Sequence, residues 1–501
     1  MKEKKYIILI VLLLNSILLI GQTDSSLDKI FRNSYGVFEL QRLPNGMYRD
    51  SKLFTGTDYH PISISNTGMG LIALCIADAM GWESDAKSKI IKTLASINGN
   101  TAGFQPDRTP NGYFRHFINV TTGDQEWDSE YSTIDTAILM AGALFAEKYF
   151  NDTNVSSSVH NLLKSIDFIA AIADDTTGKI YLSIDAFGQG LNNSITSPYS
   201  EYMLVAWLAK NTGNDVNKIA ENLWNNFYSN PSNLPKINYE NINLLTDSTT
   251  RFLSSFVHQF NYYLCNYFTT STAYLNYFKN SLTADKAWWN NVDSSSSEWG
   301  LGAGSSISTS YHADAINNNP DVIVSPHIIA GYIPINLSSK NDLIYLWNNN
   351  LGTYNLPSAN SAKVLWRYSK INSTWMPNEI IGVDYALMLF GISVLPEYLG
   401  ARFFEKYNDY FTGTNLGVID SNFKNNIAVY PNPTSGFVKI DLSEVETSFS
   451  IYISDLTGKL VYESKHNKTK ILEIDLNIQP GIYFLNINSK NKTIAKKLII
   501  N

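Results

Sequence analysis

Two runs of the chain, AILMAGALF at Ala137 to Phe145 and YALMLFGIS at Tyr385 to Ser393, are apolar around the whole turn of a helix. Such a helix has no face to offer to water and must be covered on every side. Other segments, among them VNKIAENLWNNFY from Val216 and NDLIYLWNNN from Asn341, repeat apolar residues at spacings of three and four on one face only. About twelve helical segments of these two kinds alternate between residues 25 and 410. The alternation predicts an all-α toroid in which an inner ring of buried helices is wrapped by an outer ring. A helical solenoid would need a sequence period of tens of residues, and none is present.

Short β-hairpins interrupt the helices, in GYFRHFINVTTGDQEW around Thr122-Gly123 and in GKIYLSIDAFGQG after Thr177-Gly178. Insertions of this kind on a helical scaffold usually carry function. From Asn425 the period changes to two: FVKIDLS, FSIYISDLTGK, LVYES, KILEIDL, PGIYFLNI and AKKLIIN are punctuated by Gly, Pro and Asn. That pattern predicts a small antiparallel β-sandwich of about seven strands. The expected organisation is a signal peptide at 1–21, a helical domain at 25–410, a linker at 411–424 and the β-sandwich at 425–501. The signal peptide is read from a lysine-rich start, an apolar run from Tyr6 to Ile20 that is short of a span, and small residues from Gly21, leaving no membrane anchor after cleavage.

Composition narrows the chemistry. A net charge of −7 with acids and bases scattered offers no basic face for a phosphate backbone, so nucleic acid is not an expected partner. The two cysteines, Cys75 and Cys265, sit in apolar helical sequence and read as buried free thiols. HExxH, GxSxG, GxxxxGKS and strand-linked GxGxxG motifs are absent and the seven histidines are scattered, so no metal or other cofactor is implied. What remains is a chain with 30 tyrosines, 24 phenylalanines and 10 tryptophans, and a few acids set into apolar sequence. Aromatic faces stack on sugar rings, and paired carboxyls cleave glycosidic bonds.

Four acids stand out. Asp135 follows Ser132 by three residues, as in a capping box, which gives it a structural role at the head of a buried helix; Glu130, just outside, is expected to face a cleft. Glu201 follows Ser197-Pro198, a helix-opening pair, which places it near the first turn of another buried helix. Asp384 is the only charged residue between Glu379 and Glu397, and Gly382 beside it permits close backbone approach. The loop from Ser294 to Asp314 is rich in Gly and Ser yet carries Glu298, Trp299, Tyr311 and His312, which marks a binding loop rather than a linker.

At these residues the chain resembles the glycoamylase-like family that includes the endo-β-1,2-glucanases. The resemblance runs through GYFRHF from Gly112, SEYSTIDTAILMAGALFA from Ser129, YSEYMLVAWLA from Tyr199, FVHQF from Phe256, EWGLGAGSS from Glu298 and IIGVDYALML from Ile380. It implies an (α/α)6 barrel and an inverting glycoside hydrolase acting on β-glucan, above all β-1,2-glucan. Glu201 would be the general acid and Asp384 the general base, acting through a water or a substrate hydroxyl, while Glu130 and Asp135 would shape and charge the cleft. Tyr113, Arg115, His116, Trp127, His258, Trp299 and Tyr311 are the candidate sugar contacts. Arg115 and the Ser-rich run after Trp299 depart from the pattern expected of the family. The tail resembles the type A C-terminal sorting domain of the type IX secretion system through YPNPTSG from Tyr430, DLTGKLVY from Asp455, PGIYFLNI from Pro480 and the terminal KKLIIN. That resemblance implies the secretion machinery as a partner and a secreted or outer-surface location. Two rival functions are a polysaccharide lyase on the same toroid and a non-catalytic glycan-binding surface protein.

Overall fold

In the computed structural model the described residues are 25–213, 215–357, 362–411, 429–442, 448–455, 459–467, 469–489 and 492–501. The predicted signal peptide and almost all of the predicted linker lie outside them. The chain divides into two compact units, residues up to 414 and residues from 415.

Twelve helices carry the first unit: α1 (Ser25–Gln41), α2 (Ile64–Ala79), α3 (Ala86–Ile97), α4 (Thr133–Phe150), α5 (Thr153–Lys164), α6 (Met203–Thr212), α7 (Ile219–Leu223), α8 (Phe256–Leu264), α9 (Thr272–Val292), α10 (Pro326–Gly331), α11 (Ser339–Asn348) and α12 (Gly382–Ser393). Two further short helices, Asn266–Thr270 and Arg402–Tyr407, accompany them. The even-numbered helices are buried along most of their length, and the odd-numbered ones bury one face. The two runs that are apolar all round fall in α4 and α12, as their composition requires. Each even helix touches the next, α2 to α4, α4 to α6, α6 to α8, α8 to α10 and α10 to α12, and α12 touches α2. The odd helices pack outside, α1 on α2 and α12, α3 and α5 on α4, α7 on α6, α9 on α8 and α11 on α10.

At the contact between α2 and α4 glycines replace side chains. A Cβ on Gly68 would lie 2.5 Å from the Ile138 carbonyl oxygen, and one on Gly142 would lie 2.1 Å from the Gly68 carbonyl oxygen. Backbone meets backbone there, so nothing can rotate aside.

A second recurring feature positions the site. Short pairings join the N-terminal ends of the even helices. Gly382 N–H donates to Asp50 O (2.8 Å), and Asp50 N–H donates to Pro61 O (2.9 Å) just before α2. Ile62–Ser63 pairs with Phe117–Ile118, and Ser132 N–H, at the cap of α4, donates to Phe114 O (2.9 Å). Asn261 of α8 donates to Ser200 O (3.3 Å) before α6, and Ser255 N–H donates to Leu301 O (3.0 Å). Val324, before α10, pairs with Tyr368, while Trp366 donates from Nε1 to Glu379 O (2.9 Å), next to the start of α12. The hairpins expected at Thr122-Gly123 and Thr177-Gly178 are both present, with Gly123 (φ +86°) and Gly178 (φ +77°) in the left-handed region.

The second unit has seven strands in two sheets. One orders Val429–Tyr430, Phe437–Asp441 and Ile471–Asp475; the other orders Leu460–His466, Phe449–Asp455, Gly481–Ser489 and Lys492–Ile500, with every ladder antiparallel. Val438, Ile440, Ile451, Ile453, Leu485 and Leu498 close its core. Both cysteines are free and buried in the helical unit. No helix among the described residues is long and apolar enough to cross a membrane.

The α2–α4 contact makes a direct prediction. Gly142→Val should destabilise the helical unit by at least about 1–3 kcal/mol through overpacking. Gly36→Ala, in α1 with no atom nearer than 3.8 Å to the added methyl, should leave stability unchanged or raise it by about 0.5–1 kcal/mol. Thermal or urea melts of the two variants check both signs.

Candidate active site

The four acids singled out in the sequence lie at or beside the N-terminal ends of α4, α6 and α12. In α4, Ser132 Oγ accepts from Asp135 N–H at 3.2 Å, which is one half of a capping box. The reciprocal half is missing, because the Ser132 N–H is already committed to Phe114 O. The Asp135 carboxylate turns instead to His116, with Oδ1 at 3.7 Å from Nε2. The cap expected of Asp135 is therefore carried by Ser132 alone, and the acid faces His116. Glu130 faces the other ring nitrogen, Oε1 to Nδ1 at 3.5 Å.

His116 thus sits between two carboxylates. Burial alone would push the imidazole down, but Asp135, Glu130 and Asp50 outweigh that and hold it up at about 9. The bond to His116 holds Glu130 below the usual carboxylate range, despite partial burial. Glu130 is an ionised residue at neutral pH, unsuited to donating a proton.

Glu201 behaves in the opposite way. The helix expected to open at Ser197-Pro198 begins five residues later at Met203, because Tyr199 N–H is drawn to Thr246 O (3.0 Å) and Ser200 O is held by Asn261. Glu201 therefore precedes the helix instead of standing in its first turn. Burial, together with the negative charges of Asp247 and Asp135, pushes its carboxyl up to about 7.

Asp384 lies in the first turn of α12 and is almost wholly buried. Gly382 beside it admits the Asn66 side chain, whose atoms would stand 2.2–2.4 Å from a Cβ there. Burial pushes Asp384 up to about 6, opposed by the Arg367 guanidinium and by the Tyr311 hydroxyl, which lies 3.3 and 3.2 Å from its two carboxylate oxygens.

A fifth acid escaped the sequence reading. Asp50, in the turn between α1 and α2, is pushed up to about 7 by burial and by the charges of Glu379, Asp384 and Asp135, against the pull of His116. Its neighbours in sequence, Arg49 and Ser51, give it no apolar setting to betray it. Glu379 beside it accepts from Ser51 Oγ (2.6 Å) and lies 3.2 Å from His60 Nε2.

The aromatic and basic candidates divide. Trp127 is half exposed with φ +52°, its ring edge-on to His60 and Phe117 at centroid separations of 5.7 and 5.2 Å. His116 and Tyr311 reach the acids. Arg115 is structural: it donates to Asp107 (3.0 Å) and to Ser129 O (2.7 Å) and lies 3.7 Å over the Tyr131 ring, pinning the segment that carries Glu130. Three candidates fill the core instead of a cleft. Tyr113 is fully buried with its hydroxyl on Asp167 O (2.8 Å). His258 is buried against the Tyr199 hydroxyl (2.8 Å), and desolvation holds it down at about 3, so it is neutral. Trp299 stacks on Tyr332 and donates to Asp342 (2.8 Å). In sequence a polar-tipped ring in a core looks the same as one in a cleft.

A separate open cavity of about 670 Å³ is lined by Gln105 to Pro110, Gly112, Asp124, Lys164 and Ser165, and touches none of these acids. The acids occupy the rim. Among the described residues, no three His, Cys, Asp or Glu side chains converge as metal ligands do.

Residues 428–501 match the family model described as a secretion system C-terminal sorting domain. The tail is a sorting domain. A chain bearing it is secreted or attached to the outer cell surface. No curated protein matches the chain in sequence. Among solved structures, an endo-β-1,2-glucanase from Chitinophaga pinensis, in complex with sophorotriose and glucose, is similar over 78% of this chain and 98% of its own, with a TM-score of 0.60 and 16% identity. A β-1,2-glucanase from Parabacteroides distasonis is similar over 78% of this chain and 58% of its own, with a TM-score of 0.63 and 14% identity. An endo-β-1,2-glucanase from Talaromyces funiculosus, bound to sophorose, is similar over 72% of this chain and 83% of its own, with a TM-score of 0.54 and 14% identity. The helical unit shares the fold of these proteins.

The His116 environment sets a pH-dependent prediction. A group raised from about 6.5 to about 9 on folding contributes stability that is complete below the lower value and lost as pH climbs through the upper one. The difference in melting temperature between wild type and His116→Gln should therefore shrink between pH 6.5 and 9, in melts recorded across that range.

Proposed function

We propose that the protein is a secreted, inverting glycoside hydrolase that cleaves β-glucan, with β-1,2-glucan as its substrate, on an (α/α)6 toroid. The cyclic contacts of the six buried helices support the toroid, and the fold shared with endo-β-1,2-glucanases supports the substrate class. The single observation that carries the reaction is the ordering that their surroundings impose on two acids. The Tyr311 hydroxyl faces both carboxylate oxygens of Asp384 and favours its charged form, whereas burial and neighbouring carboxylates push Glu201 up.

That ordering suits one direction of proton flow. Glu201 donates its proton to the glycosidic oxygen as the bond from the anomeric carbon to that oxygen breaks. Asp384 accepts a proton from the attacking water, directly or through a substrate hydroxyl, as the new carbon–oxygen bond forms on the opposite face. Inversion of this kind calls for carboxyls about 6.5–9.5 Å apart. Asp135, Glu130 and His116 set the charge around the acid, and Trp127 supplies an exposed aromatic face for a sugar ring. The sorting domain delivers the enzyme to the type IX machinery, which fits an extracellular polymer as substrate.

Glu201→Gln and Asp384→Asn should each lower the release of reducing ends from linear β-1,2-glucan by about 10²–10⁴-fold. Retention of activity within a few-fold in both would point to a non-catalytic glycan binder. A product absorbing near 235 nm, characteristic of an unsaturated uronate, would point to a lyase. The wild-type rate should follow a narrow bell, rising through about pH 6 as Asp384 ionises and falling through about pH 7 as Glu201 loses its proton. Polarimetry on the first products should show inverted anomers.

A further inference from the structure

Behind Asp384 lies a buried ion pair that the reaction outlined above does not use. Arg367 is completely buried between the strands Lys363–Leu365 and Tyr368–Ser369. Its Nη2 donates to Asp314 Oδ2 and its Nη1 donates to the carbonyl oxygen of His312 (3.2 Å). Asp314, itself buried, holds His312 Nδ1 at 2.8 Å through its other oxygen. Removing two charges from water is costly unless they are paired; here each charge faces the other, although Arg367 Nε is buried without a hydrogen-bond partner.

The pair grips one end of a hairpin. Strand Tyr311–Ala313 pairs with Ala303–Ser305, and Gly304 stands opposite His312. A Cβ on Gly304 would come within 2.8–2.9 Å of Arg367 Cδ and Nη1, and its φ of +139° also favours glycine, so this position leaves room for the guanidinium. The other end of the hairpin is held by Asp321, which accepts from Ser306 Oγ (2.5 Å), Ile307 N–H (3.0 Å), Ser308 N–H (2.8 Å) and Ser308 Oγ (2.5 Å). Between the two grips, Tyr311 leaves its ring partly in solvent and turns its hydroxyl onto Asp384.

We propose that Arg367 is a positioning residue: with Asp314 it fixes the Tyr311–Ala313 strand so that the Tyr311 hydroxyl is delivered to Asp384. The proposal deepens the hydrolase reading and takes from it the role of Asp384 as base. The charged and titratable groups around Asp384 are Arg367, Tyr311 and Asp50, with Glu379, His116 and Asp135 grouped around Asp50 in turn. Arg367 is the cation among those that act on Asp384 directly.

The test reads the Asp384 carboxyl itself, by isotope-edited infrared titration of the full chain labelled with ¹³C-aspartate; the band lost in Asp384→Asn identifies it. Its midpoint should lie near pH 6 in wild type and move up by about one pH unit in Tyr311→Phe and in Arg367→Lys, since both weaken groups that favour the carboxylate. On β-1,2-glucan the same variants should lower kcat at least tenfold with KM within about twofold, and the acidic limb of the rate profile should move with the infrared midpoint. If Arg367 acts through Tyr311, the double variant should be no worse than the worse single one. An unchanged midpoint in Tyr311→Phe, which keeps the ring and the fold, overturns the proposal whether or not Arg367→Lys folds. A shifted midpoint in a protein that releases no sugar overturns the hydrolase reading and leaves the positioning of Asp384 standing.

Discussion

The site depends on one arrangement, the hydrogen-bonded rim that joins the N-terminal ends of the buried helices. Each such end carries unpaired N–H groups and about half a positive charge. Bringing several together creates a place where carboxylates are favoured, and the chain puts Asp50, Glu130, Asp135, Glu201 and Asp384 there. The dipole alone would hold all five ionised, which would leave no proton donor. Burial decides otherwise for some of them. Raising Glu201 from its ordinary 4.5 to about 7 corresponds to roughly 3 kcal/mol, against about 0.3–1 kcal/mol for an exposed helix-end charge. Glu130, half exposed and bonded to His116, goes the other way.

How far this could be read from the sequence depends on the range of the interaction concerned. The mainly helical first unit and the β-strands of the tail were legible because period and turn chemistry are local. The α1 helix, SSLDKIFRNSYGVFELQ, and the long α9, TAYLNYFKNSLTADKAWWNNV, were not among the segments the period singled out, since polar and aromatic residues interrupt their apolar faces. Asp384 was legible because its loneliness in an apolar run is itself a local property. Asp50 and Arg367 were invisible for the complementary reason: what makes them matter is partners more than 50 residues away, His116 and Asp384 for one and Asp314 and His312 for the other.

The capping segment shows how a correct local rule can mislead about chemistry. Ser132 and Asp135 have the spacing of a capping box, and the serine does cap the helix. The rule assumes that the N–H of the cap residue is free to donate to the acid. Here a neighbouring chain segment, Phe114, takes that N–H, and the pairing that does so belongs to the rim. Tertiary structure thus withdraws the local partner of Asp135 and supplies a distant one, His116.

That exchange links the most recognisable stretch of the sequence to Glu201, the proton donor of the proposed reaction, without giving it a proton to transfer. His116, cationic up to about pH 9, faces Glu130 through one ring nitrogen and Asp135 through the other. The negative charge of Asp135 in turn helps to push up Glu201 on the neighbouring helix. A general acid at this rim must keep its proton in a field of helix N-termini that would strip it, and a fixed carboxylate close by opposes that field. His116 lets the protein keep such a carboxylate buried, because the imidazolium meets part of its desolvation cost. In the proposed hydrolysis SEYSTIDTA therefore acts as an electrostatic support for Glu201, while the proton transfers fall to Glu201 and Asp384.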